Sequence, residues 1–515
     1  MDRMSPTDVG FYYAETENTP MHVGSVAVFD GPAPSYGDLV RLLLGKIPQV
    51  PRYRQRVRSV PLQLGRPLWV DDEHFQILYH VRHTAVPRPG GPEQLRNLAG
   101  RVLGQRLDLT KPLWEVWLVE GLEQDRWALI SKVHHCMVDG VAGTDLMQLI
   151  FDVDPDAEHP RPPTDWSPAQ PPSTAALVLS GVQDMVAEPL RHLAGAASPD
   201  TVTAAPELIR RAGTALRTAL PALARQAVTP AARSLNGSIG PHRRWAWTET
   251  TLDDVKRVRG ALGGTVNDVV LTAITHGFRE LLEHRGALTD GLVVRSMVPV
   301  SVRRADERGS LNNQVAAVFV DLPVAEADPR LRLAEVRRQM DEHKRLLDAV
   351  DARTIIAMGD FVAPTLLALG TRAGVRAGQP WTQAVTTNVP GPPVPLYVLG
   401  RQLRSLYPYV PIAAGTRVSI GIFSYQRAMT FGINADFDAF PDIDVLADGI
   451  CAGVGGLLDL SGPATEPAGR TRPAPGSRTR ASAGSRTRES AGSRSRPSGG
   501  TGGRSGRGAG DGGRG

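Results

Sequence analysis

Two adjacent histidines followed by an aspartate are the residues of this chain whose types and spacing best suit chemistry. His134 and His135 come after an apolar run typical of a β-strand, and Asp139-Gly140 precedes a stretch in which apolar residues recur at helical spacing. An imidazole titrates near neutral pH, so it can take a proton from a hydroxyl group under physiological conditions. The pattern therefore indicates general-base catalysis at the end of a strand.

The geometry of a strand separates the two histidines. Successive side chains point to opposite faces, so one imidazole is expected to face the substrates while its neighbour packs behind it. Asp139 is expected to orient the base, and Gly140 to complete the turn. The same geometry disfavours a metal site, because both imidazoles and Asp139 would have to converge on one ion. The alternative without chemistry is a buried histidine pair that closes a strand.

Cys136 offers a second chemical route, in which its thiolate attacks the substrate and forms a covalent intermediate. The residue adjoins the histidine pair, and in an extended chain its side chain would face away from the base. We therefore expect no covalent step. With only Cys136 and Cys451 present, the sequence indicates no disulfide framework and favours a reducing, cytoplasmic setting.

The charge of the chain is concentrated at its C-terminal end. Residues 461–515 contain 11 arginines and three acidic residues, a net +8, which leaves −3 for residues 1–460 of the overall +5. The basic balance therefore does not indicate that the fold binds nucleic acid, and specific nucleic-acid recognition is not expected. This Gly-, Ser- and Arg-rich segment has too few apolar residues to form a core, so we predict a disordered tail.

Composition also predicts how the chain is divided. A proline-rich segment, residues 155–172, separates two long stretches that can each bury a core. Residues 173–228 show a basic amphipathic pattern, which suits either an anionic membrane surface or a helix packed on the two domains. The predicted units are residues 1–154, a linker over 155–233, residues 234–460 and the tail over 461–515. No signal peptide or transmembrane helix is expected, so any contact with lipid would be peripheral.

The His-His-x-x-x-Asp-Gly motif resembles the HHxxxDG signature of the acyltransferase superfamily that includes chloramphenicol acetyltransferase and the condensation domains of peptide synthetases. Several further segments narrow the resemblance to bacterial wax ester synthase/acyl-CoA:diacylglycerol acyltransferases, from about Ser5 to Leu460. These segments are Ser5-Pro6-Thr7-Asp8, Pro112-Leu113-Trp114, Ser234-Leu235-Asn236-Gly237, Asn267-Asp268, Thr386-Thr387-Asn388-Val389-Pro390 and Ser419-Ile420-Gly421.

The resemblance implies an α/β fold of two chloramphenicol acetyltransferase-like domains with the active site in the cleft between them. It implies that His135 is the general base and that His134 is structural. It also links Asn267, Asp268 and Asn388 to the site, although Asn and Asp equally favour helix N-termini as caps. Arg54, or alternatively Arg56, is expected to pair with the motif aspartate.

The implied activity is transfer of a long-chain acyl group from acyl-CoA to diacylglycerol, forming triacylglycerol, with long-chain alcohols as further acceptors that give wax esters. No cofactor or metal is expected, because acyl-CoA is a substrate. The implied location is the cytoplasm, in peripheral contact with the membrane or with lipid droplets. The alternatives are esterification of another hydrophobic alcohol, a condensation domain fed by carrier proteins, a metal-dependent hydrolase, and a noncatalytic lipid-binding relative.

Overall fold

The runs rich in β-branched and aromatic residues form strands, as their composition favours. The structure is a computed structural model and describes residues 2–138, 147, 149–162, 166–181, 183, 229–301, 315–349 and 381–462. In chain order its strands are β1 Asp2–Arg3, β2 His22–Asp30, β3 Gln55–Arg58, β4 Leu68–Asp71, β5 Val81–Ala85, β6 Trp114–Leu122, β7 Arg126–His134, β8 Arg243–Thr251, β9 Val294–Ser301, β10 Val315–Leu322, β11 Ala384–Pro390, β12 Tyr397–Val398, β13 Arg401–Tyr409, β14 Val418–Tyr425 and β15 Ala428–Asp436.

Helices with described ends cover these sheets or lead into their strands. They are α1 Pro6–Ala14, α2 Tyr36–Lys46, α3 Ile77–His80, α4 Pro92–Gly104, α5 Leu252–Leu262, α6 Val266–His284, α7 Pro329–Ala349 and α8 Ile443–Asp459. Single 3-10 turns lie at Ile47–Gln49, Pro51–Arg54, Pro61–Gln63, His135–Met137 and Arg233–Leu235. Among the described helices, none is both long and apolar enough to cross a membrane.

A six-stranded sheet positions the histidine motif. Its strands lie in the order β12-β13-β2-β7-β6-β5, so β7 is flanked by a neighbour on each side. Both neighbours run antiparallel to β7, and its last residue, His134, pairs with His22 at the start of β2. Eight consecutive residues of β7, Trp127 to His134, are buried. The motif thus begins at the end of a central strand whose backbone is held on both sides.

The last quarter of the described chain completes this first sheet. Strand β13 pairs antiparallel with β2, with Leu403 opposite Phe29 and Tyr409 opposite Gly24. Strand β12 continues the edge through its pairing with β13. The predicted second domain, residues 234–460, therefore supplies two strands to the sheet that carries the histidine motif.

A second six-stranded sheet has the order β10-β9-β11-β14-β15-β8. Strand β11 lies parallel to both of its neighbours, whereas the remaining pairs are antiparallel. Helices α6 and α8 pack closely over this sheet. A Cβ atom added to Gly449, on α8, would lie only 2.8 Å from the Cα of Gly277, on α6. A smaller sheet, in the order β1-β4-β3, lies in the N-terminal part of the chain.

The patterns of the sequence predicted many of these elements. The strand expected before the histidine pair is present as β7, and Asn267-Asp268 lie at the start of helix α6. Most of the predicted basic amphipathic stretch, and the predicted tail from residue 463 onward, lie outside the described residues.

Candidate active site

The chain turns sharply at the histidine pair. Strand β7 ends at His134, and a 3-10 turn spans His135–Met137. Backbone hydrogen bonds hold both histidines, because His134 N–H donates to Leu113 O at 2.9 Å and His135 N–H donates to Met21 O at 2.8 Å. The expectation of an extended chain through Cys136 is therefore wrong. The two imidazoles are separated because the strand ends at His134 and the turn begins at His135.

His134 is fully buried and has a neighbour at each ring nitrogen. Its Nδ1 accepts a hydrogen bond from Cys136 N–H at 3.1 Å, and its Nε2 lies 3.2 Å from Glu15 Oε2. Because Nδ1 acts as an acceptor, the hydrogen-bond pattern assigns the proton of the neutral ring to Nε2, facing the carboxylate. Nδ1 is thus engaged by a backbone amide and Nε2 lies beside a buried carboxylate, which leaves His134 poorly placed to exchange protons with a substrate.

His135 lies in a different environment. Its ring stacks on Phe11 of α1, with ring centroids 3.7 Å apart and an angle of 16° between the planes. Its Nδ1 is buried and has no hydrogen-bond partner in another residue of the described part of the chain. Burial lowers the pKa of His135 to about 4, and contact with its own backbone only partly offsets this effect. The ring is therefore neutral at physiological pH and able to accept a proton.

Glu15, just after α1, is a buried carboxylate beside the histidine pair. Oε2 accepts Met21 N–H at 2.9 Å, and Oε1 accepts Arg106 Nε–H and Nη2–H at 3.0 and 2.9 Å. Burial tends to raise the pKa of Glu15, but hydrogen bonds from His134, Met21 and Arg106 outweigh it and hold the pKa at about 2. The carboxylate is therefore charged at neutral pH.

Two further titratable groups lie behind β7. Lys132 Nζ is 3.3 Å from Glu115 Oε2 and donates to the backbone carbonyls of Val102 and Gln105. His22 Nε2 lies 2.7 Å from Leu103 O, and burial together with the nearby charge of Lys132 lowers the pKa of His22 to about 3. These groups connect β2 and β7 to the C-terminal end of α4.

Cys136 does not have the properties of an activated nucleophile. Its side chain is buried within the apolar cluster of the N-terminal half, and burial raises the pKa of the thiol well above its ordinary value. A nucleophilic cysteine needs its pKa lowered by a cation or a helix N-terminus. This geometry supports the expectation that the reaction proceeds without a covalent enzyme intermediate.

The remaining motif residues are only partly described. Asp139 and Gly140 lie outside the described residues, so their predicted roles stay predictions. The guanidinium of Arg54 lies 4.4 Å from the centroid of the Trp166 ring, whereas Arg56 Nε is 4.0 Å from Asp72 Oδ1. In the part of the chain that the structure describes, no group of three or more His, Cys, Asp or Glu side chains is arranged to hold a metal ion.

Two of the predicted site residues in the C-terminal half meet each other. Asn388 Nδ2, on β11, donates to Asn267 Oδ1, at the start of α6, at 3.4 Å. Asp268 instead closes the capping box of α6, where Asp268 Oδ2 accepts Thr265 N–H at 2.7 Å and Thr265 Oγ1 accepts Asp268 N–H at 3.2 Å. Both hydrogen bonds satisfy free amides at the helix start, so the described contacts of Asp268 are those of a cap.

The C-terminal half also reaches the histidine turn. Phe423 and Tyr425, at the end of β14, belong to the same buried apolar cluster as Cys136 and Met137. In addition, Arg243, at the start of β8, donates to the backbone carbonyl of Asn18 in the loop between α1 and β2. Elements from both halves of the chain thus contribute to the apolar cluster that contains Cys136 and Met137.

The sequence argument did not assign Phe11, Glu15 or Arg106 to the site. Phe11 and Glu15 lie four residues apart in the sequence. Their spacing of four residues places them on one face around the end of a helix, which is a usable signal. Nothing in the sequence, however, indicates that this face meets residues more than 100 positions later.

Two family models match this chain. Residues 4–270 match the model of the wax ester synthase/diacylglycerol acyltransferase catalytic domain, and residues 311–453 match that of the WS/DGAT C-terminal domain. A protein of Mycobacterium tuberculosis named a probable diacylglycerol O-acyltransferase is 33% identical over 463 residues, covering 90% of this chain and 96% of the relative. Another from the same species, with the same description, is 31% identical over 448 residues, covering 84% and 93%.

Solved structures agree with these matches. The wax ester synthase/diacylglycerol acyltransferase from Marinobacter aquaeolei VT8 superposes with a TM-score of 0.59 at 26% identity, covering 89% of this chain and 99% of that one. The first condensation domain of the calcium-dependent antibiotic synthetase gives a TM-score of 0.52 at 16% identity, covering 90% and 96%, and so shares the fold. The expected chloramphenicol acetyltransferase-type fold is confirmed, and the chain belongs to the wax ester synthase/diacylglycerol acyltransferase family.

Proposed function

We propose that this protein is an O-acyltransferase that moves a long-chain fatty acyl group from acyl-CoA to diacylglycerol, forming triacylglycerol, and that accepts long-chain alcohols as well. The observation that carries the proposal is a neutral, partly buried His135 at the motif position of an acyltransferase family that covers both halves of the chain. The names of the mycobacterial relatives favour diacylglycerol as the main acceptor.

In the proposed reaction, His135 takes the proton of the acceptor hydroxyl while the hydroxyl oxygen attacks the thioester carbonyl. A carbon–oxygen bond forms and gives a tetrahedral oxyanion. Its collapse breaks the carbon–sulfur bond, and the CoA thiolate leaves and receives the proton from His135. General-base assistance of this kind is typically worth about 10²–10⁴-fold. Asp139, Asn267 and Asn388 are proposed to orient the base and the substrates.

The test supplies labelled palmitoyl-CoA with dioleoylglycerol and with hexadecanol in separate reactions, and identifies the neutral lipid formed. Labelled triacylglycerol with the first acceptor, together with release of CoA, supports the proposal. A labelled ester formed only with hexadecanol would instead make the protein a wax ester synthase. An absence of CoA release with every acyl-CoA and alcohol tried would support the noncatalytic lipid-binding alternative.

We further propose a cytoplasmic enzyme in peripheral contact with the membrane or with lipid droplets. The supporting observations are the water-insoluble acceptors and the arginine-rich composition of residues 461–515. Deleting these residues is expected to reduce salt-sensitive binding to anionic vesicles and to leave turnover on detergent-dispersed substrate unchanged. Loss of turnover in detergent would show instead that the segment belongs to the folded enzyme.

A further inference from the structure

Glu15 is connected to the two backbone amides that form the turn at His135. Its Oε2 accepts Met21 N–H at 2.9 Å and lies 3.2 Å from His134 Nε2. Each of these two residues also accepts a hydrogen bond from a backbone amide of the turn. Met21 O accepts a hydrogen bond from His135 N–H at 2.8 Å, and His134 Nδ1 accepts one from Cys136 N–H at 3.1 Å.

We propose that Glu15 is a positioning residue, which fixes the backbone turn and the ring direction of His135 through Met21 and His134. This inference rests on the proposed function, since it assigns a role in the same site. Glu15 lies outside the histidine motif and more than 100 residues before it, so its role is defined by the fold rather than by the motif.

The contacts of Glu15 require a group that only accepts hydrogen bonds. Oε2 faces N–H groups of Met21 and His134, and Oε1 faces two N–H groups of Arg106. A carboxylate oxygen lies within 3.2 Å of each of these four nitrogens and opposes none of them with a hydrogen of its own, whereas the NH₂ group of an amide side chain would face donors on whichever side it occupied. Replacing Glu15 by the isosteric glutamine therefore disturbs one branch of the connection without leaving a cavity.

The ring of His135 depends on this support. Its Nδ1 has no hydrogen-bond partner in another described residue, so within this part of the chain no side chain anchors the ring through that nitrogen. The backbone turn and the stacking on Phe11 remain as constraints. Phe11 lies four residues before Glu15. The C-terminal end of α1 therefore supplies both the residue that stacks on the His135 ring and the residue that holds the backbone turn. A misplacement of about 1 Å at a reacting group costs on the order of 10²-fold in rate.

The first test compares Glu15→Gln with Glu17→Gln, which removes the same charge from an exposed position in the same loop. Glu15→Gln is expected to lower kcat about 10- to 100-fold per folded molecule, while KM for palmitoyl-CoA changes less than about twofold. Glu17→Gln is expected to match the unchanged protein. Wild-type kcat in folded Glu15→Gln, with only a lower Tm, would reduce Glu15 to a structural residue and overturn the inference.

A double-variant comparison tests the path through His134. If Glu15 acts through this residue, the losses in kcat are not additive, and Glu15→Gln combined with His134→Ala is about as slow as His134→Ala alone. Losses that multiply would contradict the path. Residues in one hydrogen-bond network show such coupling, whereas independent sites do not.

The second test does not need activity. In protein labelled with ¹⁵N-histidine, the His134 resonances are identified by their absence in His134→Ala. The expected ring is neutral with its proton on Nε2, and Glu15→Gln is expected to shift this resonance and to speed the exchange of its proton with solvent. A proton on Nδ1, or a resonance unchanged by Glu15→Gln, would overturn the inference. If the wild type forms no ester with any acceptor, the proposed function fails, while this spectrum still decides the role of Glu15.

Discussion

His134 and His135 are adjacent in sequence but differ in what their ring nitrogens meet. His134 contacts a backbone amide on one side and the Glu15 carboxylate on the other. His135 lies against an aromatic face and keeps an imidazole with no carboxylate partner in the described part of the chain. A neutral ring without an internal acceptor is suited to take a proton from a bound hydroxyl, which is why we assign the base to His135.

Substitution separates the two roles. His135→Ala is expected to lower turnover per folded molecule by about two to four orders of magnitude with little change in Tm. His134→Ala removes the ring beside the charged Glu15 and leaves the Cys136 amide without its acceptor, so it is expected to lower Tm more, and turnover less, than His135→Ala. Turnover and thermal unfolding measured on both variants check this. An active but unstable His135→Ala, together with a stable and inactive His134→Ala, would reverse the assignment.

The lowered pKa of His135 predicts the dependence of the rate on pH. Because burial holds this pKa at about 4, the ring stays unprotonated until the pH falls to that range. The value of kcat/KM is therefore expected to show no acidic limb centred near the ordinary pKa of a histidine, about 6.5, and to fall only as the pH approaches 4. Initial rates between pH 5 and 8, on protein shown to be folded, check this.

Folding must be followed in the same experiment. A histidine whose pKa is lowered in the folded state contributes stability that is present above its unfolded pKa and is lost as the pH falls through the folded value. His22, His80 and His135 all have lowered pKa values because of burial, so acid also weakens the fold. A rate that falls near pH 6.5 while the protein stays folded would contradict the assignment of His135.

Two adjacent candidate site residues at the start of helix α6, Asn267 and Asp268, are expected to differ in how they affect stability and activity. Asp268 closes the capping box, so Asp268→Ala is expected to cost about 0.5–2 kcal/mol of stability. Asn267→Ala removes the contact with Asn388, which links α6 to β11, and is expected to lower kcat while Tm changes little. Chemical unfolding and steady-state kinetics on both variants measure the two effects. If both variants lost the same activity while keeping the stability of the unchanged protein, both residues would be assigned to the reaction and not to the helix cap.

Some elements of the fold can be predicted from the sequence, and others cannot. Strand β7 and helix α6 are long enough for apolar periodicity and cap residues to define them. The 3-10 turn at His135–Met137 spans only three residues and depends on amides that bond to Met21 and His134. Such a turn has no period of its own, so the sequence predicted an extended chain there. The contact of Glu15 with the histidine pair was equally beyond prediction, because it depends on how α1 docks.

At the scale of the molecule, the shared sheet predicts that the N-terminal half cannot fold alone. Without β12 and β13, strand β2 would expose an unpaired edge, and the apolar cluster would lose Leu403 and Leu406. Residues 1–162 expressed alone are expected to be insoluble or unfolded, and coexpression with residues 229–462 to restore soluble protein. Circular dichroism and size-exclusion chromatography measure this. A folded monomer of residues 1–162 with a Tm close to that of the full chain would contradict it.

The pairing of β2 with β13 also constrains the order of events during protein synthesis. Gly24 leaves the ribosome early, but its partner across the sheet is Tyr409. At about 5–20 residues per second, roughly 20–80 s pass before that partner is made. Throughout this interval strand β2, beside the histidine motif, has one unpaired edge that other chains can contact. We therefore expect the nascent chain to depend on chaperones that bind exposed strands. Slower translation would lengthen the time for which the edge of β2 is exposed.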